Sequence, residues 1–215
     1  MTARSNGIIA IDGPAGSGKS TAAQGLAMRL GYTHLNSGAI YRCITCATMD
    51  HVFPLDEGER IAEMASGLKI EFLRETDGRS RVIMNGLDLS FRITKTEVER
   101  KTPHVARNPE VRRVVDELLR GMVGDGGIVC DGRDIGTTVF PHAHAKFYLV
   151  ADLEVRSQRY GKRPEMIADR DRQDRERSAS PLRKAADAYE LDTTRLSKED
   201  VLNILYDKAL PHLPR

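Results

Sequence analysis

The chain has 215 residues, 40% hydrophobic and 30% charged, which is typical of a globular protein large enough to bury a core. A formal net charge of only +2, 5% aromatic residues and no tryptophan disfavour a general nucleic-acid binder that relies on charge or base stacking. No apolar run approaches the roughly 18 residues of a membrane helix. The polar start and three cysteines do not suggest secretion, so we expect a cytoplasmic protein without membrane or nucleic-acid partners.

The beginning of the chain alternates strand and helix patterns. A short apolar run predicts a buried strand over Gly7–Asp12, followed by a glycine-rich turn. Helical periodicity runs over Lys19–Leu30 and stops at Gly31, a residue typical of a helix C-cap. We then expect a short strand near His34–Asn36 and a helix over about Gly38–Met49.

The segment from about 67 to 103 has a different pattern. Leu68–Leu73 and Arg81–Met84 have the composition of short strands, and turn signals stand at Asp77-Gly78 and Asn85-Gly86. We therefore expect a small antiparallel lobe inserted into an α/β core.

The α/β pattern resumes after this segment. The expected elements are a helix over about Pro109–Met122, strands at Ile128–Asp131 and Lys146–Val150, a helix, a basic loop at Gly161–Pro164, a charged helix through Arg177, a strand near Tyr189–Asp192 and a helix after Ser197. Ser197 and Asp200 are a capping pair for that last helix. The alternation predicts a doubly wound parallel sheet, in which ligands bind beyond the carboxyl ends of the strands.

One motif between the first strand and the first helix indicates phosphate binding. Gly13-Pro14-Ala15-Gly16-Ser17-Gly18-Lys19-Ser20, with Thr21 after it, matches G-x-x-x-x-G-K-[ST]. Its glycines let backbone N–H groups turn around an anion, and the helix N-terminus adds its dipole. Lys19 would reach the β- and γ-phosphates and Ser20 would offer its hydroxyl to Mg²⁺, so the loop predicts nucleoside triphosphate binding.

A second set of polar residues follows other strands. Ser37–Arg42 follows the second predicted strand and Asp131–Asp134 closes the third. Arg170, Asp174 and Arg177 share one helix face through their i, i+4, i+7 spacing. Because arginine suits bidentate phosphate binding, these residues predict a second phosphate site facing the first.

These residues also have simpler explanations. Arg42 alone could be a surface charge, and Asp169–Arg177 could be a solvated helix with i,i+4 ion pairs. Asp131 stands where a P-loop fold can hold Mg²⁺ through water, but Asp before Gly132 is also a common turn former.

In this order, the motifs resemble the bacterial cytidylate kinases, the CMP/dCMP branch of the nucleoside monophosphate (NMP) kinases. The matching stretches are IDGPAGSGKST, NSGAIYR, DGRDIGTTVFP, RDRQDRERSASPLRKAADA and LDTTRLS, so the resemblance extends over almost the whole chain. The phosphate loop is shared by many proteins, whereas SGAIYR together with DGRDIGT is a much narrower signature.

The resemblance implies a P-loop NTPase fold with a five-stranded parallel sheet flanked by helices. It implies one kinase domain over residues 1–215, with an inserted NMP-binding lobe at about 67–103 and a short lid at about 156–170. The implied reaction is ATP + CMP ⇌ ADP + CDP, dependent on Mg²⁺, with CMP or dCMP as acceptor. A monomer is expected.

The resemblance also assigns roles by position. The acceptor phosphate is implied to bind Arg42, Arg133 and Arg177, cytosine to bind Ser37, Arg112 and Asp134, and the sugar to bind Arg170 and Asp174. ATP is implied to bind Gly13–Thr21 together with the lid residues Arg156, Arg159, Lys162 and Arg163. The implied catalytic residues are Lys19, Arg133, Arg159 and Arg177, and the implied Mg²⁺ residues are Ser20 directly and Asp131 through water. No side-chain nucleophile is needed, because positioning and charge neutralisation suffice for phosphoryl transfer.

The sequence departs from the family pattern in four places. Asn36 replaces the usual Asp before Ser-Gly, and His142 replaces the Asp after Phe-Pro. Thr102-Pro103 stands where a Ser helps to read cytosine, so Thr102 either substitutes for it or the contact is lost. The lid, from Gly161 to about Asp169, is shorter than in some relatives. These departures bear on base selectivity and pH dependence, since none removes a phosphate ligand.

Two other patterns have ordinary explanations. Cys43 and Cys46 form a C-x-x-C, but there is no second pair for zinc, and buried free cysteines are common in helices. His142 and His144 alternate like one face of a strand, but without other ligands a loop or surface position is the better interpretation.

Two alternatives to a cytidylate kinase remain. One is a P-loop kinase for another acceptor, such as UMP or a phosphorylated metabolite, which SGAIYR with DGRD disfavours. The other is a nucleotide-binding regulator without transfer activity, which would not need a second phosphate site.

Overall fold

A computed structural model describes residues 7–74, 80–124 and 127–214, so the predicted turn at Asp77-Gly78 lies outside the described residues. The chain divides into two compact units. The first comprises Met1–Leu35 and Val123–Arg215, and the second comprises Asn36–Met122.

Eight strands and eight α-helices are defined in the described residues. The strands are β1 Ile8–Asp12, β2 Thr33–Asn36, β3 Ile70–Arg74, β4 Ser80–Met84, β5 Leu87–Asp88, β6 Ile128–Gly132, β7 Ala145–Val150 and β8 Tyr189–Asp192. The helices are α1 Lys19–Leu30, α2 Ser37–Asp50, α3 Gly58–Ser66, α4 Thr96–Ala106, α5 Pro109–Gly121, α6 Leu153–Tyr160, α7 Pro164–Glu176 and α8 Lys198–Ala209. In the described part of the chain, no helix is both long and apolar enough to cross a bilayer.

The first unit is built on a five-stranded parallel sheet flanked by helices, as predicted. Its strand order is β2-β6-β1-β7-β8. Ile9 of β1 pairs with Val129 of β6 on one side and with Ala145 of β7 on the other, and both pairings are parallel. The carboxyl ends of these strands therefore lie at one edge, where a doubly wound sheet binds its ligands.

Local sequence explains where the flanking helices begin and end. α1 begins after Gly18 and ends before Gly31, and both glycines adopt left-handed backbone conformations. α8 begins with the predicted capping box, since the Ser197 side chain accepts from the Asp200 N–H and the Asp200 carboxylate accepts from the Ser197 N–H. Pro109 occupies the first turn of α5, where a missing N–H costs no helical hydrogen bond.

The core of the first unit joins the central strands to α1 and α8. Its fully buried side chains are contributed by Ile9, Ile11, Ala23, Leu26, Val129, Leu149, Leu205 and Ala209. Removing these side chains from water fixes the positions of β1 and α1, and so of the loop that joins them.

In its described residues, the second unit combines a small antiparallel sheet with four α-helices. Its sheet is antiparallel, as predicted, with the strand order β3-β4-β5; the two-residue strand β5 was not predicted. Asn85 and Gly86 have φ values of 50° and 81°, so they form the predicted tight turn between β4 and β5. α2 packs against α4, and α3 packs against α5.

Two helices of this unit were not expected from the sequence. α3 precedes the sheet, and α4 continues through Pro103, where the prediction ended the lobe. Proline usually breaks a helix because it lacks an N–H. Here Val98, Thr102 and Val105 form a buried stripe at helical spacing, and its packing keeps the segment helical.

Candidate active site

The phosphate loop joins β1 to α1 at the carboxyl edge of the sheet. Gly13, Gly16 and Gly18 have φ values of 153°, 75° and 86°, in the region that favours glycine. A Cβ on Gly13 would lie 2.2 Å from the carbonyl oxygen of Leu149, and one on Gly16 would lie 2.7 Å from that of Arg156. Two of the loop's glycines are therefore required by both conformation and space.

Lys19 is buried at the start of α1 and its ammonium donates to the carbonyl oxygen of Pro14 at 3.1 Å. Burial lowers the pKa of Lys19 well below its usual range, and the positive charges of Arg133 and Arg170 lower it further against the opposing effect of Asp131 and Asp174. The positive charges of Lys19, Arg133 and Arg170 therefore repel one another at this edge of the sheet. An anionic ligand bound among them would reduce that repulsion.

Ser20 and Asp131 face each other across the sheet edge. The Ser20 hydroxyl donates to Oδ2 of Asp131 at 2.6 Å, and Nε2 of His34 donates to Oδ1 at 2.7 Å. Although burial opposes ionisation, the bonds from His34 and Ser20 and the charge of Lys19 keep the pKa of Asp131 below its usual value. Two oxygen ligands, one of them anionic, therefore lie together at this point, which is the donor chemistry that Mg²⁺ prefers.

Arg133 and the end of α7 are joined through Asp174. Nε of Arg133 donates to Oδ2 of Asp174 at 2.7 Å, and Nη1 of Arg177 lies 3.8 Å from Oδ1. Burial opposes ionisation of Asp174, but the two arginines hold its pKa below the usual value. Arg170, one turn earlier, donates to the hydroxyl of Tyr160 at 2.7 Å. Arg170 and Asp174 lie within α7, whereas Arg177 is the residue directly after its last helical residue.

Asp12 connects the phosphate loop to the segment that contains Arg133 and Asp134. Its carboxylate accepts from the backbone N–H groups of Ile135 and Gly136 at 2.9 and 2.8 Å. Those two residues begin a π-helical turn, Ile135–Val139, directly after the buried Asp134. Asp12 thereby fixes the backbone that follows β6.

Both arginines predicted to belong to a lid, Arg156 and Arg159, are hydrogen-bonded within the protein. Arg156 is buried, and its Nη1 donates to the carbonyl oxygen of Ala15 at 3.1 Å and to Oδ2 of Asp171 at 2.6 Å. Arg159 donates from Nη1 to Oγ1 of Thr193 at 2.9 Å and from Nη2 to its carbonyl oxygen at 2.7 Å. Arg156 therefore joins α6, α7 and the phosphate loop, while Arg159 is anchored beyond β8.

The predicted site residues of the second unit lie on α2 and α5. Ser37 is the first residue of α2, and Arg42 follows one turn later, with Nη1 3.7 Å from the place a Cβ on Gly38 would take. Arg112 is buried on α5, donates to the carbonyl oxygen of Ala106 at 3.1 Å and lies 5.4 Å from the Tyr41 ring centre. An arginine beside a helix N-terminus provides suitable chemistry for an anion.

The family model for cytidylate kinase matches residues 9–210 of the chain. The chain belongs to the cytidylate kinase family. Cytidylate kinase of an Exiguobacterium species is 39% identical over 210 residues, which cover 92% of this chain and 93% of that protein. Cytidylate kinase of Bacillus thuringiensis is 40% identical over 207 residues, covering 90% and 92%. The resemblance found in the motifs is confirmed.

Among solved structures, a gluconokinase from Sinorhizobium meliloti is similar in fold to this cytidylate kinase family member. It is 11% identical, with a TM-score of 0.50 over 97% of this chain and 94% of that one. Identity this low supports the fold alone.

Two departures from the family pattern have defined local structures. Asn36 is the N-cap of α2, and its side-chain oxygen accepts from the Ala39 N–H at 2.7 Å. The Thr102 hydroxyl is buried, donates to the carbonyl oxygen of Val98 at 2.7 Å and lies 3.2 Å from the Thr45 hydroxyl. Thr102 therefore lies on the side of α4 that contacts α2, and its substitution for a cytosine-reading serine stays a prediction.

The structure places the C-x-x-C cysteines in a helix and the two histidines, His142 and His144, in a loop. Cys43 and Cys46 are free and buried in α2, and burial raises the pKa of Cys43 to about 12. Residues 142 and 144 lie in the loop before β7, as preferred from the sequence, and Nδ1 of His144 accepts from the Ile8 N–H at 3.0 Å. His144 thus caps the start of β1.

Four residues of the site were missed by sequence reasoning: Asp12, His34, Asp171 and Thr193. Asp12, Asp171 and Thr193 stand inside stretches that resemble the family, IDGPAGSGKST, RDRQDRERSASPLRKAADA and LDTTRLS, and that resemblance was the signal that could have found them. His34 carries no comparable signal, because its role depends on a contact with a residue 97 positions away.

Proposed function

We propose that this cytidylate kinase family member transfers the γ-phosphoryl group of ATP to the phosphate of CMP or dCMP. The observation that carries the proposal is that Arg133, held by Asp174 at 2.7 Å, and Arg170 lie near enough to Lys19 of the phosphate loop for their charges to lower its pKa. One cation belongs to the triphosphate loop and the others to the segments predicted to hold the acceptor. Two anionic groups brought together need such a concentration of positive charge.

On the donor side, the backbone of Gly13–Thr21 is proposed to surround the phosphates of ATP, with Lys19 neutralising the β- and γ-phosphates. Ser20 and Asp131 fit Mg²⁺ because their oxygens already meet at 2.6 Å. We propose that Ser20 binds the ion directly and Asp131 binds it through water. The bound ion would neutralise charge on the phosphate oxygens.

On the acceptor side, Arg42, Arg133 and Arg177 are proposed to bind the phosphate of CMP. Arg170 and Asp174 would bind the sugar. Cytosine is proposed to bind Ser37, Arg112 and Asp134. Asp174 already holds Arg133, so it would orient a phosphate ligand as well as contact the sugar.

In the proposed reaction an acceptor phosphate oxygen forms a bond to the γ-phosphorus as the bond to the bridging oxygen of ADP breaks. Arg133, Arg159 and Arg177 neutralise charge around the transferring group, and no side-chain nucleophile takes part. We propose that the lid, residues 156–170, closes over ATP and excludes water, while residues 67–103 act as the NMP-binding lobe.

We also propose that the protein acts as a cytoplasmic monomer on small-molecule nucleotides, without a nucleic-acid partner. Monodispersity and mass in solution, measured by light scattering with and without ATP and CMP, test the monomer.

The test of function is a coupled assay of ADP release with ATP, Mg²⁺ and, in turn, CMP, dCMP, UMP, AMP and GMP. We expect ADP release that depends on CMP or dCMP. The kinase proposal would be refuted if ADP were released without an acceptor, or if no ADP were released with any of the acceptors. A preference for UMP would refute only the assignment of cytosine as the acceptor base. Thr102 would then be the first residue to test, because its hydroxyl donates to the carbonyl oxygen of Val98.

A further inference from the structure

Thr193 places a buried hydroxyl next to the phosphate loop, and the proposed reaction does not use it. It follows β8 directly, and 2% of its surface is exposed. β8 is parallel to β7, which is parallel to β1, so Thr193 lies at the edge of the sheet from which the phosphate loop departs. Its backbone is fixed, because its N–H donates to the carbonyl oxygen of Val150 at 2.8 Å.

The Thr193 hydroxyl joins three elements. Oγ1 lies 3.1 Å from the carbonyl oxygen of Ser17 in the phosphate loop and 3.1 Å from that of Val150, so its proton is offered to these carbonyls. The same oxygen accepts from Nη1 of Arg159 at 2.9 Å, and the Thr193 carbonyl accepts from Nη2 at 2.7 Å. One residue therefore binds both terminal nitrogens of the arginine while it contacts the phosphate loop.

This contact holds the guanidinium beside the N-terminus of α1. Nη1 of Arg159 lies 4.0 Å from the place a Cβ on Gly18 would take, and Gly18 is the residue before α1. An arginine has a long side chain whose ordering costs conformational entropy. A guanidinium already held next to the phosphate loop has lost that freedom before the reaction begins, which favours catalysis by positioned charge.

We propose that Thr193 is a positioning residue that holds Arg159 over the phosphate loop for phosphoryl transfer. The inference rests on the proposed function, in which Arg159 neutralises charge on the transferring group. Valine has nearly the shape of threonine but no hydroxyl, whereas serine keeps the hydroxyl. The pair Thr193→Val and Thr193→Ser therefore separates hydrogen bonding from packing.

The first experiment measures kcat and both KM values for the wild type, Thr193→Val and Thr193→Ser. Loss of a hydrogen bond to a charged group should lower kcat about tenfold in Thr193→Val, while KM for CMP stays within about twofold. Thr193→Ser should keep kcat within about threefold of wild type. If Thr193→Val does not fold, Thr193→Ala carries the same expectation.

Thr194→Val is the matched control. Thr194 lies in the same loop, and its hydroxyl donates to Oδ1 of Asp192 and accepts from the Asp152 N–H at 2.9 Å, so these bonds do not involve Arg159. We expect its kcat to stay near the wild-type value. An equal loss in Thr194→Val would attribute the effect to the loop as a whole and overturn the proposal.

The second experiment compares Arg159→Ala with Arg159→Ala/Thr193→Val. If Thr193 acts through Arg159, the second substitution should lower kcat by less than about twofold once the arginine is gone. Losses that multiply, or a Thr193→Val enzyme with unchanged or raised kcat, would overturn the inference. A wild-type protein without CMP-dependent ADP release would instead refute the proposed function itself.

Discussion

Nε of Arg133 donates to Oδ2 of Asp174 at 2.7 Å, joining the segment after β6 to the end of α7. The two side chains are each 16% exposed, so the pair is partly shielded from solvent. An arginine proposed to bind the acceptor phosphate is thus oriented by a carboxylate proposed to contact the acceptor sugar.

Asp174→Asn should weaken acceptor binding more than donor binding. Without the carboxylate charge, Arg133 loses its ion-pair partner and the acceptor sugar loses a hydrogen-bond acceptor. We expect KM for CMP to rise about tenfold or more, the ratio of CMP to dCMP efficiency to change, and KM for ATP to change little. Steady-state kinetics with both acceptors provide the measurement.

Asp169→Asn, on the exposed face of the same helix, is the matched control and should behave like wild type. A similar rise in KM for ATP and CMP in Asp174→Asn, or unchanged kinetics with CMP and dCMP, would contradict the placement of Asp174.

Lys19→Met should remove turnover while keeping the fold. Burial and the charges of Arg133 and Arg170 lower the pKa of Lys19, so removal of its ammonium relieves unfavourable electrostatics. We expect kcat to fall about 10³-fold and the melting temperature to stay at or above the wild-type value. Exposed Lys198→Met is the control for loss of one positive charge. Near wild-type turnover, or a lower melting temperature, would be inconsistent with this view of Lys19.

Asp12 should make folding stability depend on pH. Burial raises the pKa of Asp12 from 3.8 to about 7, despite the hydrogen bonds from Gly136 and Ile135; the charge of Asp134 also raises it and that of Lys19 lowers it. Burial raises the pKa of Tyr148, and the charge of Asp12 raises it further. As pH rises from about 4 to about 7, the unfolded chain releases the Asp12 proton and the folded protein retains it.

The stabilising contribution of Asp12 to the free energy of unfolding is therefore fully present below about pH 4. It is lost as pH rises towards about 7. Asp12→Asn removes the titrating group. In urea denaturation between about pH 4 and pH 7, the wild-type value minus the variant value should fall as pH rises. A difference that is constant or increases with pH would show that Asp12 ionises normally.

Asp171→Ala should destabilise the first unit. It leaves the buried guanidinium of Arg156 without its carboxylate partner, which costs about 3 kcal/mol in comparable buried pairs. We expect a lower urea midpoint, together with lower turnover because Arg156 also contacts the phosphate loop at Ala15. Asp169→Ala removes an exposed pair on the same helix and should change the midpoint little. An unchanged midpoint in Asp171→Ala would show that the buried pair contributes no net stability.

The sequence predicted those parts of the fold that depend on neighbouring residues. α1 and β8 have the predicted bounds, and α8 has its predicted capping box. α3 and α4 were missed. In α4 the local proline signal at Pro103 is overridden by burial of the stripe that includes Val98, an energy term that only packing supplies.

By itself, the sequence determined the phosphate loop, its flanking strand and helix, and the motifs that place the chain in its family, because each depends on residues a few positions apart. Only the tertiary structure decided which of these segments meet. Ser20 reaches Asp131 across 111 positions, and the Thr193 hydroxyl reaches the Ser17 carbonyl across 176. Such contacts follow from the strand order β2-β6-β1-β7-β8, which is set by long-range burial and parallel pairing and leaves little trace in any local pattern.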